Sequence, residues 1–267
     1  MSTQSSCGEL LTAMRQANPL VQCITNDVAM NIAANVLLAA GASPAMVSAE
    51  EEAGEFAVIA GAVTINIGTL WSGGVAGMRE AANAARREGK PWILDPVAHY
   101  ATSFRRDIVN ELMGLKPTII RGNASEILAL AGEEFRGQGV DSGDSALSAR
   151  SAAEALARRH ASIVAVTGDV DFVTDGDRSL AIEGGSPLMP KVTALGCALT
   201  CLVGAFAATV PEHPFEATAA ALALFAVCGE AAGRQAKGPG SFQPLFLDAL
   251  SSIGGQLLDA NLRTRLL

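Results

Sequence analysis

Short apolar runs alternate with longer amphipathic stretches along most of the chain. The apolar runs contain almost no polar positions, which is typical of strands that are buried on both faces of a parallel sheet. The stretches between them show helical spacing, and two of them end at a glycine, as helices commonly do. We predict strands at residues 20–25, 44–48, 62–68, 91–96, 117–123 and 161–168.

This alternation predicts an α/β protein in which helices cover both faces of a mostly parallel sheet. Helices are expected at 26–41 and 73–89, and the acidic stretch "AEEEAGEF" is expected to begin another. Residues 171–185 differ, because two short runs flank an Asp-Gly pair, which is the signature of a hairpin. The chain from residue 193 onwards is predicted to be helical. No linker or repeat divides the sequence, so we predict a single domain over 1–267.

One uncharged run, residues 192–210, is long enough to raise the question of a membrane span. It is rich in Ala, Gly and Thr rather than Leu and Ile, and two prolines within residues 211–214 stop it at once. A second apolar run at 217–229 is too short to cross back. We therefore expect two buried core helices and no membrane segment.

The charge and the cysteine content indicate which binding partners and which cellular compartment to expect. Lys and Arg number 19 against 27 Asp and Glu, a net charge of -8, which disfavours nucleic acid and anionic membrane surfaces as partners. The five cysteines form no CxxC pair, and the N-terminal residues lack the apolar core of a signal peptide. A cytoplasmic protein with reduced thiols is the simplest interpretation.

Polar side chains collect at the carboxyl ends of the predicted strands, where open parallel sheets bind their ligands. Two carboxylates, Asp95 and Glu126, stand near Arg121 and could hold Mg²⁺ and a nucleotide phosphate. Thr167 and Gly168 add a hydroxyl and a backbone amide at which a phosphate could bind. Each feature also has a plain structural alternative, a helix N-cap at 123–126 and a strand-end turn at 167–168.

Gly196 and Cys197 stand where a loop enters the long apolar helix. The first turn of a helix offers free N–H groups and a positive dipole end, which suit a phosphate. A cysteine there is expected to have a lowered pKa, and it could accept a proton or orient an alcohol. Cys201 and Cys228 fit a buried core instead. The sequence contains no GxxxxGK[ST], and no GxGxxG follows a predicted strand.

Several segments, in this order, resemble the hydroxyethylthiazole kinase family, which are ribokinase-like enzymes of thiamine salvage. The segments are "TNDVAMNIAANVLLAAGASPAMV", "INIGTL", "LDPVA", "KPTIIRGNASEILALAG", "VAVTGDVDFVTDG", "GCAL" and "GPGSF". The resemblance implies a three-layer α/β/α ribokinase-like fold. It also implies transfer of the γ-phosphoryl of ATP, with Mg²⁺, to the primary alcohol of 4-methyl-5-(2-hydroxyethyl)thiazole. It further implies a homotrimer with active sites between subunits.

The same resemblance implies a role for each matching position. The implied substrate residues are Met46, Asn26 and Ala194. The implied ATP-binding residues are Arg121, Thr167, Gly168 and Asn123. The implied Mg²⁺ ligands, direct or through water, are Asp95 and Glu126. Gly196 and Cys197 would form the anion hole, with Cys197 at the position where related kinases place an aspartate base.

The chain departs from the family pattern at two places. The family usually has Gly-Thr-Gly-Cys before the long helix, whereas this chain has Ala194 and Leu195 before Gly196. His99 and Tyr100 stand where small residues are usual. These differences leave two alternatives open. One is a ribokinase-like kinase of another small alcohol, and the other is a weakly active paralogue that binds a thiazole or a nucleotide.

Overall fold

The computed structural model describes residues 5–132 and 146–267, and these residues form one sheet with helices on both faces. The strands are β1 (Leu20–Ile24), β2 (Ser43–Ala45), β3 (Ala62–Asn66), β4 (Trp92–Asp95), β5 (Ile119–Asn123), β6 (Ile163–Thr167), β7 (Val170–Thr174), β8 (Ser179–Glu183) and β9 (Arg263–Leu266). The helices are α1 (Cys7–Ala17), α2 (Met30–Ala40), α3 (Glu50–Ile59), α4 (Val75–Arg87), α5 (Ser103–Gly114), α6 (Ala124–Ala131), α7 (Arg150–His160), α8 (Leu195–Thr209), α9 (Pro214–Gln235), α10 (Pro239–Ser252) and α11 (Gly255–Asn261).

The strands lie in the order β2-β1-β3-β4-β5-β6-β7-β8-β9. The pairs from β2 to β6 are parallel, and the pairs from β6 to β9 are antiparallel. The predicted parallel sheet and the predicted hairpin, which is β7 and β8, are both confirmed. Because β1, β3, β4, β5 and β6 are parallel, their carboxyl ends meet at one edge of the sheet, and the polar strand ends converge there.

Two buried clusters lie on opposite faces of the sheet and make the three layers. Residues of α1, α2, α8, α9 and α10 form one cluster, and residues of α3 to α7 form the other. Successive side chains of the central strands point to opposite faces of the sheet. Ile93 and Ile119 pack in the first cluster, and Leu94 and Ile120 pack in the second. This pattern confirms the predicted α/β/α arrangement and explains the nearly continuous apolar character of the strands.

The uncharged run contains α8, which is 15 residues long and nearly all buried beyond its first turn. The second run belongs to α9, which at 22 residues is longer than we expected. By length and composition alone α9 could cross a membrane, but 83% of its most apolar window is buried inside the fold. Both helices pack in one core cluster, which explains their shared apolar character without a bilayer.

Three predicted boundaries were wrong. The helix expected from residue 26 begins at Met30, because the Asn26 side chain accepts the Ala29 N–H in a turn that precedes it. The second strand ends at Ala45, so Met46 follows it. The segment after residue 193 is not all helical, because Arg263–Leu266 forms β9 against β8.

Candidate active site

A cavity of about 850 Å³ opens at the carboxyl ends of the parallel strands. It joins β4, β5 and β6 to the first turn of α8, so residues far apart in the sequence meet on its wall. Nine of the predicted site residues line it: Asp95, Arg121, Asn123, Glu126, Thr167, Gly168, Ala194, Gly196 and Cys197. Asn26 and Met46 do not line it.

Asp95 ends β4 and is fully buried. Its Oδ2 accepts hydrogen bonds of 2.7 Å from both Asn66 Nδ2 and Thr200 Oγ1, and Arg121 Nη1 lies 3.7 Å from the same oxygen. Its Oδ1 is buried without a hydrogen-bond partner. Burial raises the pKa of this carboxyl above its usual range, although Arg121 and the two donors oppose the rise. Oδ2 of this carboxylate therefore accepts two hydrogen bonds, whereas Oδ1 accepts none.

Glu126 lies in the first turn of α6 and is also buried. It forms a capping box with Asn123, in which Glu126 Oε2 accepts the Asn123 N–H and Asn123 Oδ1 accepts the Glu126 N–H, both at 2.9 Å. Glu126 Oε1 accepts the Ala98 N–H at 3.0 Å. Burial and the nearby Asp95 charge raise the pKa of Glu126. The N-cap alternative is thus realised, and the same carboxylate still lines the cavity.

Arg121 spans the cavity wall between β5 and α8. Its Nη2 donates to Thr167 Oγ1, and its Nε is buried without a partner. A Cβ built on Gly196 would lie 2.9 Å from Arg121 Nη1, so a side chain at this position would displace the guanidinium from its present place. Gly168 differs from our expectation, because its N–H already donates to Asp171 Oδ1 at 2.9 Å. Burial raises the pKa of Asp171 to about 6.

Cys197 is half-buried in the first turn of α8, and its Sγ accepts a hydrogen bond from Asn26 Nδ2 at 3.2 Å. Burial and the Asp95 charge raise the pKa of the Cys197 thiol to about 11, despite the opposing effects of Asn26 and Arg121. The expected lowered pKa is therefore wrong, because burial and the Asp95 charge outweigh the donors Asn26 and Asn66 and the charge of Arg121. Cys201 is fully buried beside Thr64, which agrees with a core cysteine.

Ala194 precedes α8 in the left-handed region, with φ 60 and ψ 13. This conformation costs an L-residue roughly 1 kcal/mol relative to glycine, so the departure from the usual glycine is strained. Leu195, at the position of the usual threonine, is buried and packs in the core cluster. At this position the loop therefore has a buried apolar side chain instead of a hydroxyl group.

His99 and Tyr100 lie in a short 3-10 turn that follows β4. His99 is buried with Nδ1 3.2 Å from the Pro96 carbonyl oxygen, and burial lowers the pKa of its imidazole. Burial and the Glu126 charge raise the pKa of the Tyr100 hydroxyl. Neither side chain lines the cavity.

Met46 is half-buried just beyond β2 and packs against the core cluster that includes α2 and α8. Three further residues bear on the site without having been predicted. Asn66 and Thr200 donate to Asp95, and Arg105 donates to the carbonyls of Ile67, Gly68 and Val97, joining two loops at the cavity edge. The sequence shows Asn66 as a polar residue at the end of a strand. Thr200 follows Cys197 by three positions, so the two share one helix face, and this spacing could have identified it.

Comparisons with known proteins identify the family. A sequence model described as "HK: Hydroxyethylthiazole kinase family" matches residues 11–256. A hydroxyethylthiazole kinase from Rhizobium rhizogenes is 70% identical over 256 residues, which cover 96% of this chain and 96% of that protein. The solved structure of a hydroxyethylthiazole kinase from Pyrococcus horikoshii OT3 is 41% identical, with a TM-score of 0.90 over 98% of each chain.

A more distant solved structure shows how widely the fold is shared. The pyridoxal kinase from Staphylococcus aureus in complex with AMP-PCP and pyridoxal is 15% identical, with a TM-score of 0.64 over 93% of this chain and 98% of that chain. That likeness establishes the ribokinase-like architecture alone. The matched family model and the high identity over nearly the whole length establish more: this chain belongs to the hydroxyethylthiazole kinase family.

Proposed function

We propose that this protein transfers the γ-phosphoryl group of ATP to the primary alcohol of 4-methyl-5-(2-hydroxyethyl)thiazole, a step of thiamine salvage. The observation that carries the proposal is the convergence of two buried carboxylates, one arginine and the first turn of α8 on one cavity. Phosphoryl transfer asks a protein mainly for positioning and for charge stabilisation, and this set of groups supplies both. Membership of the kinase family supports the same reaction.

The nucleotide would bind along the Arg121 side of the cavity. Arg121 carries a buried Nε–H that has no partner in the protein, and a phosphate oxygen would satisfy it. Thr167 and Asn123 line the wall beside it. Because the Gly168 N–H is already bonded to Asp171, we expect Gly168 to contribute through its small size rather than through its amide. A Cβ there would lie 3.1 Å from the Ala146 Cβ.

The donor set fits Mg²⁺. Asp95 offers a buried oxygen without a partner, and Glu126 lies close enough that Asp95 raises its pKa. Within residues 5–132 and 146–267, no cluster of three or more His, Cys, Asp or Glu side chains is present. The protein would thus supply two carboxylates, and water and phosphate oxygens would complete the shell, as is usual for Mg²⁺. When bound, the ion would neutralise the negative charge of the phosphates.

Cys197 and Gly196 would act where the phosphoryl group passes to the alcohol. The first turn of α8 presents N–H groups and a positive dipole end to that point. With a pKa of about 11 the Cys197 thiol is protonated at neutral pH, so it would orient the alcohol by hydrogen bonding. Of the two roles expected for this cysteine, accepting a proton or orienting the alcohol, the raised pKa favours the second.

The thiazole would lie near Asn26 and the backbone of Ala194, with Met46 supplied across a subunit boundary. Met46 does not line the cavity of its own chain, and two apolar side chains on the loops after β1 and β3 are exposed. Val28 is 56% exposed and Trp71 67% exposed, and the Asp27 N–H bond to Thr69 Oγ1 joins the two loops that carry them. A homotrimer with shared sites would cover these side chains.

We take residues 1–267 as one kinase domain, because a single sheet runs through the described part of the chain. All five cysteines are free, which suits a cytoplasmic enzyme.

The deciding experiment is ADP release from ATP and Mg²⁺ with a panel of thiazole, pyrimidine and sugar alcohols. We expect the hydroxyethylthiazole to give the highest kcat/KM. A higher value for a pyrimidine or sugar alcohol would indicate the alternative kinase. ADP release that no alcohol stimulates, with nucleotide still bound, would indicate a weakly active paralogue.

A further inference from the structure

A chain of buried amides joins the two sides of the cavity. Asn66, at the end of β3, is paired in register with Asp95 on β4, and its Nδ2 donates to Asp95 Oδ2 at 2.7 Å. Asn66 Oδ1 accepts Asn26 Nδ2 at 2.8 Å, and the same Asn26 nitrogen reaches Cys197 Sγ at 3.2 Å. Asn26 and Asn66 are at most 6% exposed, so both amides are shielded from solvent.

The direction of each hydrogen bond in this row of amides is fixed by a neighbouring backbone N–H. The Gly68 N–H can only donate, and it reaches Asn66 Oδ1 at 2.8 Å, so the Asn66 nitrogen must face Asp95. The Ala29 N–H can only donate, and it reaches Asn26 Oδ1 at 3.0 Å, so the Asn26 nitrogen must face Asn66 and Cys197. Neither amide can be rotated without leaving a backbone N–H opposite an NH₂ group.

The fixed donor directions have a consequence both at Asp95 and at Cys197. At Asp95, Asn66 and Thr200 both bind Oδ2, which leaves Oδ1 free for a ligand. At Cys197, the sulfur receives an N–H from Asn26, so its own proton must point away from Asn26. Cys197 lines the cavity, so the open direction for the S–H is the cavity itself.

We propose that Asn66 is a positioning residue of the kinase reaction, holding Asp95 directly and the Cys197 sulfur through Asn26. The proposal rests on the proposed function for its kinetic part. A single buried side chain would set both the carboxylate that faces the metal and the thiol that faces the alcohol. Gly68 belongs to the same device, since a Cβ there would lie 2.7 Å from Asn26 Nδ2.

The first test is a double-mutant cycle on kcat with Asn66→Ala, Cys197→Ala and both together. If Asn66 acts on Cys197 through Asn26, its removal should cost at least ~3-fold less in the Cys197→Ala background than in the wild type. Asn66→Asp should lower kcat by ~10²-fold or more with KM for ATP changed by less than ~3-fold, because it removes a donor and adds a charge beside Asp95. Additive effects in the cycle would overturn the link to Cys197, and a normal kcat for Asn66→Asp would overturn the positioning of Asp95.

Ser162→Ala is the matched control. Ser162 is a buried polar residue just before β6, and its Oγ donates to the Pro117 carbonyl at 2.6 Å, at the end of the strand opposite to the cavity. We expect this variant to lose stability and to keep its kcat. If Asn66→Ala merely loosened the fold, its kcat, measured per folded molecule, would behave in the same way, and the proposal would fall.

A second readout needs no catalysis, and it separates this inference from the proposed function. The rate at which iodoacetamide modifies Cys197 can be followed at pH 9 by mass spectrometry of the peptide. Asn66→Ala should slow this rate by at least ~2-fold, because the sulfur loses its oriented donor and the thiolate is less stabilised. An unchanged or faster rate would contradict the link, even if no alcohol proved to be a substrate. Should Asn66→Ala fail to fold, Asn66→Ser is measured in the same way.

Discussion

Cys197 and Cys201 show how much one turn of helix changes a residue. They lie on the same face of α8, four positions apart, but Cys197 reaches the cavity while Cys201 is packed beside Thr64. The pKa values of both thiols are raised, by different first causes: burial for Cys197 and the hydrogen bond with Cys23 for Cys201. The sequence already separated the two, because Cys197 follows Gly196 at the start of the apolar run whereas Cys201 lies one turn deeper in it.

Cys197→Ala should lower kcat by about 10-fold, which is the loss of one hydrogen bond to the reacting alcohol, and should leave stability nearly unchanged. Cys201→Ala should instead cost about 1–2 kcal/mol of unfolding free energy and almost no kcat. Steady-state kinetics and urea unfolding on both variants would measure this. Exchanged effects, with Cys201→Ala the slower enzyme, would contradict the assignment.

Alkylation of Cys197 should be slow at neutral pH and strongly pH-dependent. A thiol of pKa about 11 is protonated throughout the range from pH 7 to 10, so the iodoacetamide rate should rise about tenfold per pH unit there. An ordinary thiol would reach a plateau near pH 9. Peptide mapping across this range gives the curve, with the urea-unfolded protein as the reference. A plateau at pH 8 in the folded protein would mean that the thiolate is stabilised after all.

Asp95→Asn and Glu126→Gln should each reduce turnover by at least ~10²-fold, because charge neutralisation at the phosphates supplies much of the rate. Both wild-type side chains bear raised pKa values from burial, so removing the charge should not unfold the protein. Kinetics titrated with Mg²⁺, together with circular dichroism, would test this. Near-normal turnover at the same Mg²⁺ concentration would reduce these residues to capping and packing.

At the scale of elements, the docking of α8 on β1 and β3 positions the site. Gly204 allows this approach, since a Cβ there would lie 2.7 Å from Thr64 Cγ2 and 3.1 Å from Val21 Cγ1. Gly204→Ala should therefore cost about 1–3 kcal/mol of unfolding free energy through overpacking. Gly114→Ala in α5 is the control, because nothing lies within 4 Å of its Cβ position. Equal stabilities of the two variants in urea unfolding would refute the close-packing argument.

The elements that could be predicted are those whose own residues carry the signal. The alternation of buried strands with helices identified β1, β3, β4, β5 and β6 with small boundary errors. β9 was missed because "RTRL" has no apolar period and its pairing with β8 is set by long-range contact. In the site, strand ends predicted Asp95 and Arg121. The pKa of Cys197 could not be predicted, because it depends on burial and on Asp95, a hundred residues away in the chain.

At the scale of the whole molecule, mixing two inactive variants should test the shared site. Met46→Asp and Arg121→Ala should each be inactive alone, if Met46 lines the thiazole pocket and Arg121 contacts a phosphate as proposed. If Met46 and Arg121 of one site come from different subunits, unfolding and refolding the mixture should restore part of the activity. Light scattering should give a trimer for each sample. A mixture that stays inactive while trimeric would place both residues in the same subunit's site.

The hydrogen bond from Asn26 to Cys197 joins positions 171 residues apart in the chain. Closing such a loop early is entropically costly, so partly folded forms that hold only the first strands contain no reaction centre. Recovery of kinase activity after dilution from denaturant therefore reports on the arrival of α8, and not on collapse of the sheet. A substitution far from the cavity that delays this docking will lower the activity regained at early times while leaving the final enzyme unaltered.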